Sequence, residues 1–536
     1  MLTYSFAERG ELSLYEYLYR CIRHDIERGA IAADEKLPSK RALARHLGVS
    51  VITVEGAYAQ LVAEGYLVAR ERRGYYACDW GGRGAPRVGP AVEARPSVAS
   101  EPAVEARHDA TGGVRLPAEP DGRFAGATAS CAQGLEDDAP REGDVCPEVP
   151  EARPAIADLT GAGIPSGLFP FGSWAKSLRE ALACEAEHDL IGPTEPFGLR
   201  RLRCAIADQI RGFRGMEVDP DCLVIGAGSQ VLDNLLVQLL GHDLRYGVED
   251  PGYPRLASIY RANGVALATV PLDGAGVRMD VLRGEGVDVM HVMPSHQYPT
   301  GLVTSISRRY ELLGWAAEQP GRYLIEDDYD CEFRLMGRPI PTLASIDAAG
   351  CVIYTNTFAK SLGPAFRVGY MVLPRGLAAR FKEELGFYSC TVSAIDQLAL
   401  ARFIEEGDYE RHVSRMRTHY RAVRDALIAA LRASDLGERM SVHQEDAGIH
   451  FVLGIRCAAG AEGLSWDAAL CREARERGVL IQPLSAFSQD GGASRADEEE
   501  RRFVVSYGGV APERAGAVAR VCAQAAAAAD AHCTRR

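Results

Sequence analysis

No apolar run in the 536 residues reaches the length that crosses a bilayer. The N-terminus also lacks the basic-then-apolar order of a signal peptide, with Glu8, Glu11 and Glu16 where the basic stretch would stand. None of the 14 cysteines forms a CxxC pair, so neither a zinc cluster nor a disulfide framework is legible. Cysteines scattered singly are small buried hydrophobes of a reducing compartment. Positive charge is in deficit: 60 Lys and Arg against 73 Asp and Glu leave a net charge of -13. That excludes a chain coating nucleic acid with uniform basic charge, but not a local DNA-reading face. There is no internal repeat. A cytoplasmic protein with no membrane partner is the expectation.

What is present divides into zones. The length exceeds one hydrophobic core, so two or more folded units are expected. Residues 1–80 have the aromatic and apolar anchors of a small folded unit. Residues 81–155 are dominated by Ala, Pro, Glu, Gly and Arg, with Phe124 the only aromatic. Such a stretch buries too little apolar surface to offset its ordering entropy, and reads as a flexible linker. Residues 156–536 are globular again, ending in an Ala-rich segment, Ala525 to Ala529, read as the last helix.

In the first zone, Leu14 to Ile26 has apolar residues at helical spacing and Gly29 stops it. Ser39 is an N-cap for a short helix from Arg41 to Leu47, and the Gly48-Val49-Ser50 turn leads into a third helix, Thr53 to Glu64. Gly65 to Val68 and Gly74 to Ala77 read as strands around the basic run Arg70-Glu71-Arg72-Arg73. Spacing alone equally fits a generic three-helix bundle. The residues Leu37 to Ala44, Gly48 to Ser50, Thr53-Val54, Ala57-Tyr58, Leu61 and Glu64 to Leu67 resemble, in order, the GntR-type winged helix-turn-helix. The resemblance implies that the third helix enters the major groove of operator DNA and the wing touches the backbone or minor groove. It makes Lys40, Arg41, Arg45, Ser50, Thr53, Arg72, Arg73 and Gly74 the DNA-binding set. Where that family carries Arg after the Ser of the turn, this chain has Val51-Ile52, which cannot make the bidentate contact to guanine.

In the large zone, four apolar runs each lead into a polar motif. Leu223 to Ile225 precedes Gly226-Ala227-Gly228-Ser229-Gln230, and Val287 to Met293 precedes Pro294-Ser295-His296-Gln297-Tyr298-Pro299-Thr300-Gly301. Tyr323 to Ile325 precedes Glu326-Asp327-Asp328-Tyr329-Asp330, and Cys351 to Tyr354 precedes Thr355-Asn356-Thr357-Phe358-Ala359-Lys360. Buried parallel strands with ligands gathered at their carboxyl ends give this pattern, so an α/β fold with one shared site is expected. A Gly-Ser-Gln turn at a helix start offers N–H groups to a phosphate, Lys360 can form a Schiff base, and Arg367 can hold a phosphate dianion. Taken singly, a Gly-rich turn merely turns and a Lys near an Arg is more often surface charge.

Together with Glu249 to Pro254, Pro364 to Tyr370 and Pro483 to Ser485, these motifs make the large zone resemble fold-type-I pyridoxal-phosphate enzymes, the aspartate aminotransferase superfamily. With the winged helix in front, the whole chain resembles the MocR/GabR group of regulators. The resemblance implies pyridoxal 5'-phosphate as cofactor, in Schiff-base linkage to Lys360. Asp327 would pair with the pyridine N–H, Tyr329 with the phenolic oxygen, and Tyr253 would stack on the ring. Gly228, Ser229, Gln230 and Arg367 would hold the phosphate, and Arg255 and Arg502 would receive a substrate or effector carboxylate. A homodimer sensing an amine, an amino acid or the cofactor itself is implied, with a working aminotransferase carrying an accessory DNA-binding module as the alternative. Two positions depart from the family: Ala359 stands in place of a Ser, and Ile191 in place of a Tyr that reaches the neighbouring subunit.

Overall fold

The computed structural model of the protein describes residues 4, 14–27, 30–32, 34–63, 66–70, 74–77, 156–161, 163–165, 167–334, 341–446, 448–457, 463–489 and 500–533. The expected linker, 81–155, lies outside the described residues, as do Gly29, Arg72 and Arg73. The N-terminal unit consists of α1 (Leu14–Glu27), α2 (Lys40–Leu47), α3 (Val51–Ala63) and an antiparallel hairpin of β1 (Leu67–Arg70) and β2 (Gly74–Ala77). Ser39 Oγ accepts from the Ala42 N–H at 3.2 Å, so α2 begins at Lys40, one residue earlier than the sequence suggests. Gly48, at φ +66°, closes that helix in the left-handed conformation glycine adopts without strain. Ser50 Oγ accepts from the Thr53 N–H at 3.1 Å, which moves the start of α3 forward to Val51. Leu18, Ile22, Leu43, Val54, Tyr58 and Leu61 are buried together, and the Tyr58 hydroxyl donates to the Pro38 carbonyl at 2.9 Å.

The large zone begins with β3 (Ala157–Asp158), α4 (Phe171–Cys184), α5 (Glu187–Ile191) and α6 (Arg200–Arg214). Strand and helix then alternate: β4 (Leu223–Gly226), α7 (Ser229–Leu240), β5 (Arg245–Asp250), α8 (Pro254–Ala262), β6 (Ala266–Asp273), β7 (Gly276–Val277), α9 (Met279–Gly284) and β8 (Val289–Val292). α10 (Ile306–Ala317), β9 (Tyr323–Asp327), α11 (Leu343–Ile346), β10 (Val352–Thr357) and β11 (Gly369–Val372) complete the run. The strands form one sheet in the order β4-β11-β10-β9-β8-β5-β6-β7. The four apolar runs singled out in the sequence are β4, β8, β9 and β10. They point the same way, because β11 runs antiparallel to both β10 and β4. Their carboxyl ends therefore open on one edge of the sheet, as the motif pattern requires.

The rest of the chain is α12 (Arg375–Glu384), α13 (Ala394–Glu405), α14 (Asp408–Arg432), β12 (Met440–His443), β13 (His450–Arg456), α15 (Gly463–Glu476), β14 (Val479–Leu480), β15 (Gln482–Pro483), β16 (Glu500–Ser506) and α16 (Ala515–Cys533). A four-stranded sheet, β12-β13-β16-β15, buries Phe451, Leu453, Phe503 and Val505 in one core with Met416, Trp466 and Ala525. The Ala-rich segment is indeed inside the last helix, where small side chains let α16 pack closely on α15. Among the described residues, no helix is long and apolar enough to cross a membrane.

The Ser39 cap gives a direct check on the N-terminal unit. Ser39→Ala leaves an N–H of α2 without its acceptor and is expected to cost about 1 kcal/mol, read as a lowered unfolding midpoint in denaturant.

Candidate functional site

The site begins where β4 ends. Gly228 has φ +85° and precedes α7, whose first residues are Ser229 and Gln230; no side chain caps that helix, so its leading N–H groups are open to a ligand. Arg367, itself in the left-handed region at φ 51°, brings its guanidinium to the same turn and donates from Nη2 to the Ala227 carbonyl at 2.9 Å. A Cβ on Gly228 would lie 2.6 Å from Arg367 Nη2. The absent side chain thus leaves a cradle of N–H groups and one exposed guanidinium, which fits a phosphate.

At the end of β9, the sequence Glu326-Asp327-Asp328-Tyr329-Asp330 separates its side chains by partner. Asp327 faces His291 of β8, with Oδ2 3.8 Å from Nε2. The other His291 nitrogen, Nδ1, is 2.8 Å from the Tyr260 hydroxyl. Burial opposes a proton on His291, but Asp327, Asp233 and Glu249 outweigh it and raise its proton affinity. Burial pushes Asp233 and Glu249 up to about 7 each. Asp328 turns the other way: Arg214 Nε donates to its Oδ2 at 2.8 Å and the Tyr354 hydroxyl at 2.7 Å.

Tyr329 lies under Lys360, whose Nζ is 5.6 Å from the ring centroid. The Tyr329 hydroxyl is 3.3 Å from His296 Nδ1, which is 2.8 Å from Asp330 Oδ2. Burial raises the Tyr329 phenol well above its ordinary value. Lys360 follows β10, and burial lowers its ammonium below the usual range against the pull of Asp330 and Asp327. His450, from β13, packs its ring tilted against His296 at 4.3 Å; burial, with His296 and Lys360 nearby, keeps it neutral. Tyr253 stands at the start of α8, half-buried, with Tyr298 edge-on at 6.0 Å.

The structure thus gathers Asp327, Tyr329 and Lys360 on one sheet edge, and Gly228, Ser229, Gln230 and Arg367 on the same edge at β4 and β11. Arg255, exposed in the first turn of α8, rests against the Tyr253 hydroxyl. Arg502 is placed differently. It donates to Glu500 at 3.2 Å and lines a cavity of about 510 Å³ with His443, Asp467 and Arg501, a cavity that Lys360, Asp327 and Arg367 do not line. Sequence reasoning gave no role to His291, Asp233, Glu249, His296, Asp330, His450 or Arg214. A polar residue inside an otherwise apolar run, such as His291 in Val289–Val292, was the available signal.

In the N-terminal unit, Arg41 and Arg45 are exposed on α2, and Val51 is 42% exposed at the start of α3. Lys40 is committed to Glu55 at 2.6 Å, with its ammonium over the Tyr75 ring. The hydroxyls of Ser50 and Thr53 bond each other at 2.8 Å. Gly74 has φ +107° where the hairpin re-enters β2.

Two families match this arrangement. Residues 14–76 match the family described as bacterial regulatory proteins, gntR family, and residues 161–506 match aminotransferase class I and II. The HTH-type transcriptional regulator YdeL of Bacillus subtilis is 34% identical over 89% of this chain and 90% of its own. The probable rhizopine catabolism regulatory protein MocR of Rhizobium meliloti is 32% identical over 89% and 87%. Among solved structures, the multiple substrate aminotransferase of Thermococcus profundus superposes with a TM-score of 0.60 at 24% identity, over 71% of this chain and 93% of that one. The large zone therefore has the fold-type-I aminotransferase fold. The chain belongs to the MocR-type helix-turn-helix transcriptional regulators, in which a gntR-type DNA-binding domain precedes a class I and II aminotransferase domain.

One buried acid near the site carries a pH signature. Glu332 accepts from the Tyr409 hydroxyl at 3.1 Å through Oε1, Oε2 has no partner, and burial pushes its carboxyl up to about 7. A raised folded-state value means the native protein keeps a proton that the unfolded chain has released, so this contribution is present below about pH 4.5 and is lost as pH rises toward 7. Glu332→Gln removes the titration. Urea unfolding across pH 5 to 8 is expected to show a flatter loss of stability in the variant, by on the order of 3 kcal/mol.

Proposed function

We propose that this regulator binds pyridoxal 5'-phosphate at Lys360 and reports an amine, an amino acid or the cofactor itself to operator DNA. The observation that carries the reading is the meeting of a desolvated lysine, a carboxylate backed by His291, and a glycine-and-arginine phosphate cradle on one sheet edge. Bound there, the cofactor supplies a carbonyl carbon that takes up an amine and a ring that draws electrons from it.

The chain's own residues do the rest. Burial lowers the proton affinity of Lys360 and so favours the free amine, the nucleophilic form. Asp327, kept in place by His291, holds a proton on the ring nitrogen. Tyr329 presents its hydroxyl to the ring oxygen, while Tyr253 covers one ring face and keeps water from it. The open N–H groups at Gly228 to Gln230 and the Arg367 guanidinium take the phosphate. With Ala359 in place of Ser one neutral hydrogen bond is lost, worth on the order of 1 kcal/mol, and Arg367 is a sufficient anchor. Arg255, beside Tyr253, receives a carboxylate.

Residues 1–80 are the DNA-binding domain in this reading, residues 81–155 the tether, and residues 156–536 the ligand-binding domain. Arg41 and Arg45 bind backbone phosphate, and Val51 meets a base edge such as a thymine methyl. The large domain exposes the apolar side chains of Phe171, Ile191 and Phe387, each more than 70% accessible, which supports a homodimer on two half-sites. Ile191 meets the neighbouring copy by apolar contact, not through a phosphate-reaching hydroxyl.

Purified protein is expected to show the visible absorption of lysine-bound cofactor, and Lys360→Ala to lose it while keeping its circular dichroism. A colourless wild type that ignores added cofactor would sink the reading. On the DNA side, Arg41→Ala is expected to weaken operator binding and reduce its salt dependence by about one counterion. Binding unchanged by removal of residues 1–80 would refute the DNA-binding assignment. Brisk multiple-turnover transamination, with operator affinity indifferent to every amine tried, would favour the enzyme over the sensor.

A further inference from the structure

Three side chains from distant parts of the chain meet beside Tyr329. His296 follows β8, Asp330 follows β9 and His450 opens β13. None is more than 4% exposed, and one ligand atom of each lies within 4.8 Å of one from each of the others. They share no spacing motif, so nothing in the sequence announces them as a group. Two glycines leave room beside them. A Cβ on Gly448, at φ +70°, would run into the His296 ring and the Asp330 carboxylate, and one on Gly301 would lie 3.5 Å from His296 Nε2.

The hydrogen bonds decide which ring nitrogens are left over. His296 Nδ1 is 2.8 Å from Asp330 Oδ2, and a carboxylate only accepts, so Nδ1 carries the proton of the neutral ring. His296 Nε2 is then a bare lone pair, buried and without a hydrogen-bond partner. His450 lies against the Pro299 carbonyl, again an acceptor only, and its Nε2 also has no partner. The same rule puts the His450 proton on Nδ1 and leaves Nε2 bare. Neither ring relieves the other, because both lack a proton at Nε2. Buried acceptors left in this way are costly unless something else takes them up.

We infer that His296, Asp330 and His450 form a binding site for a divalent transition-metal cation of the zinc class, with the two Nε2 atoms and an Asp330 carboxylate oxygen as protein ligands. A metal-bound histidine is a neutral imidazole whose other nitrogen donates to a carboxylate or a backbone carbonyl, which fixes the ring and its tautomer. Asp330 does this for His296, and the Pro299 carbonyl for His450. Two nitrogens and one oxygen suit zinc, cobalt or nickel, whereas magnesium and calcium take oxygen ligands. Zinc sits about 2.1 Å from such nitrogens, and rings 4.3 Å apart, tilted by 37°, let one ion approach both. The site is independent of whether Lys360 carries a cofactor.

The test is metal uptake by the full-length protein, treated with a chelator, desalted to remove free cofactor, and titrated with cobalt(II) and then zinc(II). Cobalt reports its own surroundings through visible bands, at longer wavelength than a cofactor absorbs, that strengthen as coordination falls from six to four. Wild type is expected to take up one cobalt per chain with such bands, and zinc to displace it. His296→Phe and His450→Phe keep a ring in place and remove the ligand nitrogen. Each is expected to weaken zinc binding by about a hundredfold or more, beyond the loss typical of an outer partner. Circular dichroism checks their folding, and His450→Gln, which keeps a donor for Pro299, repeats the measurement where a Phe variant fails to fold. His443, 3.4 Å from Glu500 on the surface, is the control, and His443→Ala is expected to bind as wild type does. No uptake by wild type at micromolar metal, uptake of wild-type size in both ring variants, or uptake lost in His443→Ala overturns the site. The cofactor band, read in the same samples, decides the reading of Lys360 separately.

Discussion

Five carboxyl groups stand within seven residues, from Glu326 to Glu332, at the end of a buried strand. An unpaired charge in such a place costs several kcal/mol, so each must be protonated or partnered. The large domain is arranged around that demand. Glu326 takes two N–H groups of α11 and the Arg309 charge. Asp327 has His291, Asp328 has Arg214 and Tyr354, Asp330 has His296, and Glu332 holds its proton beside Tyr409. These partners come from α6, β8, α10, β10 and α14 and from the segment after β8, so the acidic run draws elements far apart in sequence to one strand end. In the proposed reading one member of the run, Asp327, meets the cofactor, and the others hold the frame in which it points.

Electrostatics at that strand end also decide which groups there can hold a proton. Lys360 loses proton affinity by burial, while Asp233 and Glu249 gain it, so the region beneath the site carries less charge than its side chains suggest. His450 is neutral for the same reason. A lysine that must act as an amine needs such surroundings, because a nearby ionised carboxylate with free access to it would hold its proton in place. His296 takes up the Asp330 carboxylate and so limits that effect.

The sheet and its motifs were legible because they are local. Apolar runs followed by Gly, Asp or Lys report the strand ends directly, and four of the eight strands of the main sheet were placed from them. Helix starts shifted by one or two residues where Ser39 and Ser50 turned out to cap the chain sooner. The reversal of β11 was not legible, since direction within a sheet depends on partners distant in sequence. The same limit hid Arg214, His291 and His450: each reads as an isolated polar residue until the fold supplies the carboxylate or ring beside it.

The surfaces offered to DNA and to ligand differ in how firmly their residues are committed. Lys40 is bound to Glu55, and Ser50 and Thr53 to each other, so these three shape the helix-turn-helix itself. Arg41 and Arg45 remain exposed on α2. The ligand side shows the same division. Arg367 is pinned to Ala227, with Gly228 beneath it, so the turn proposed to take a phosphate is already formed. Arg255 is exposed beside Tyr253, where the proposed reading has it take a carboxylate. Groups needed for every state of the protein are held by the fold, whereas those that must recognise a varying partner stay near the surface. The proposed regulator would use that order: a fixed cofactor cradle, a surface reader for the effector, and the exposed Arg41 and Arg45 for DNA.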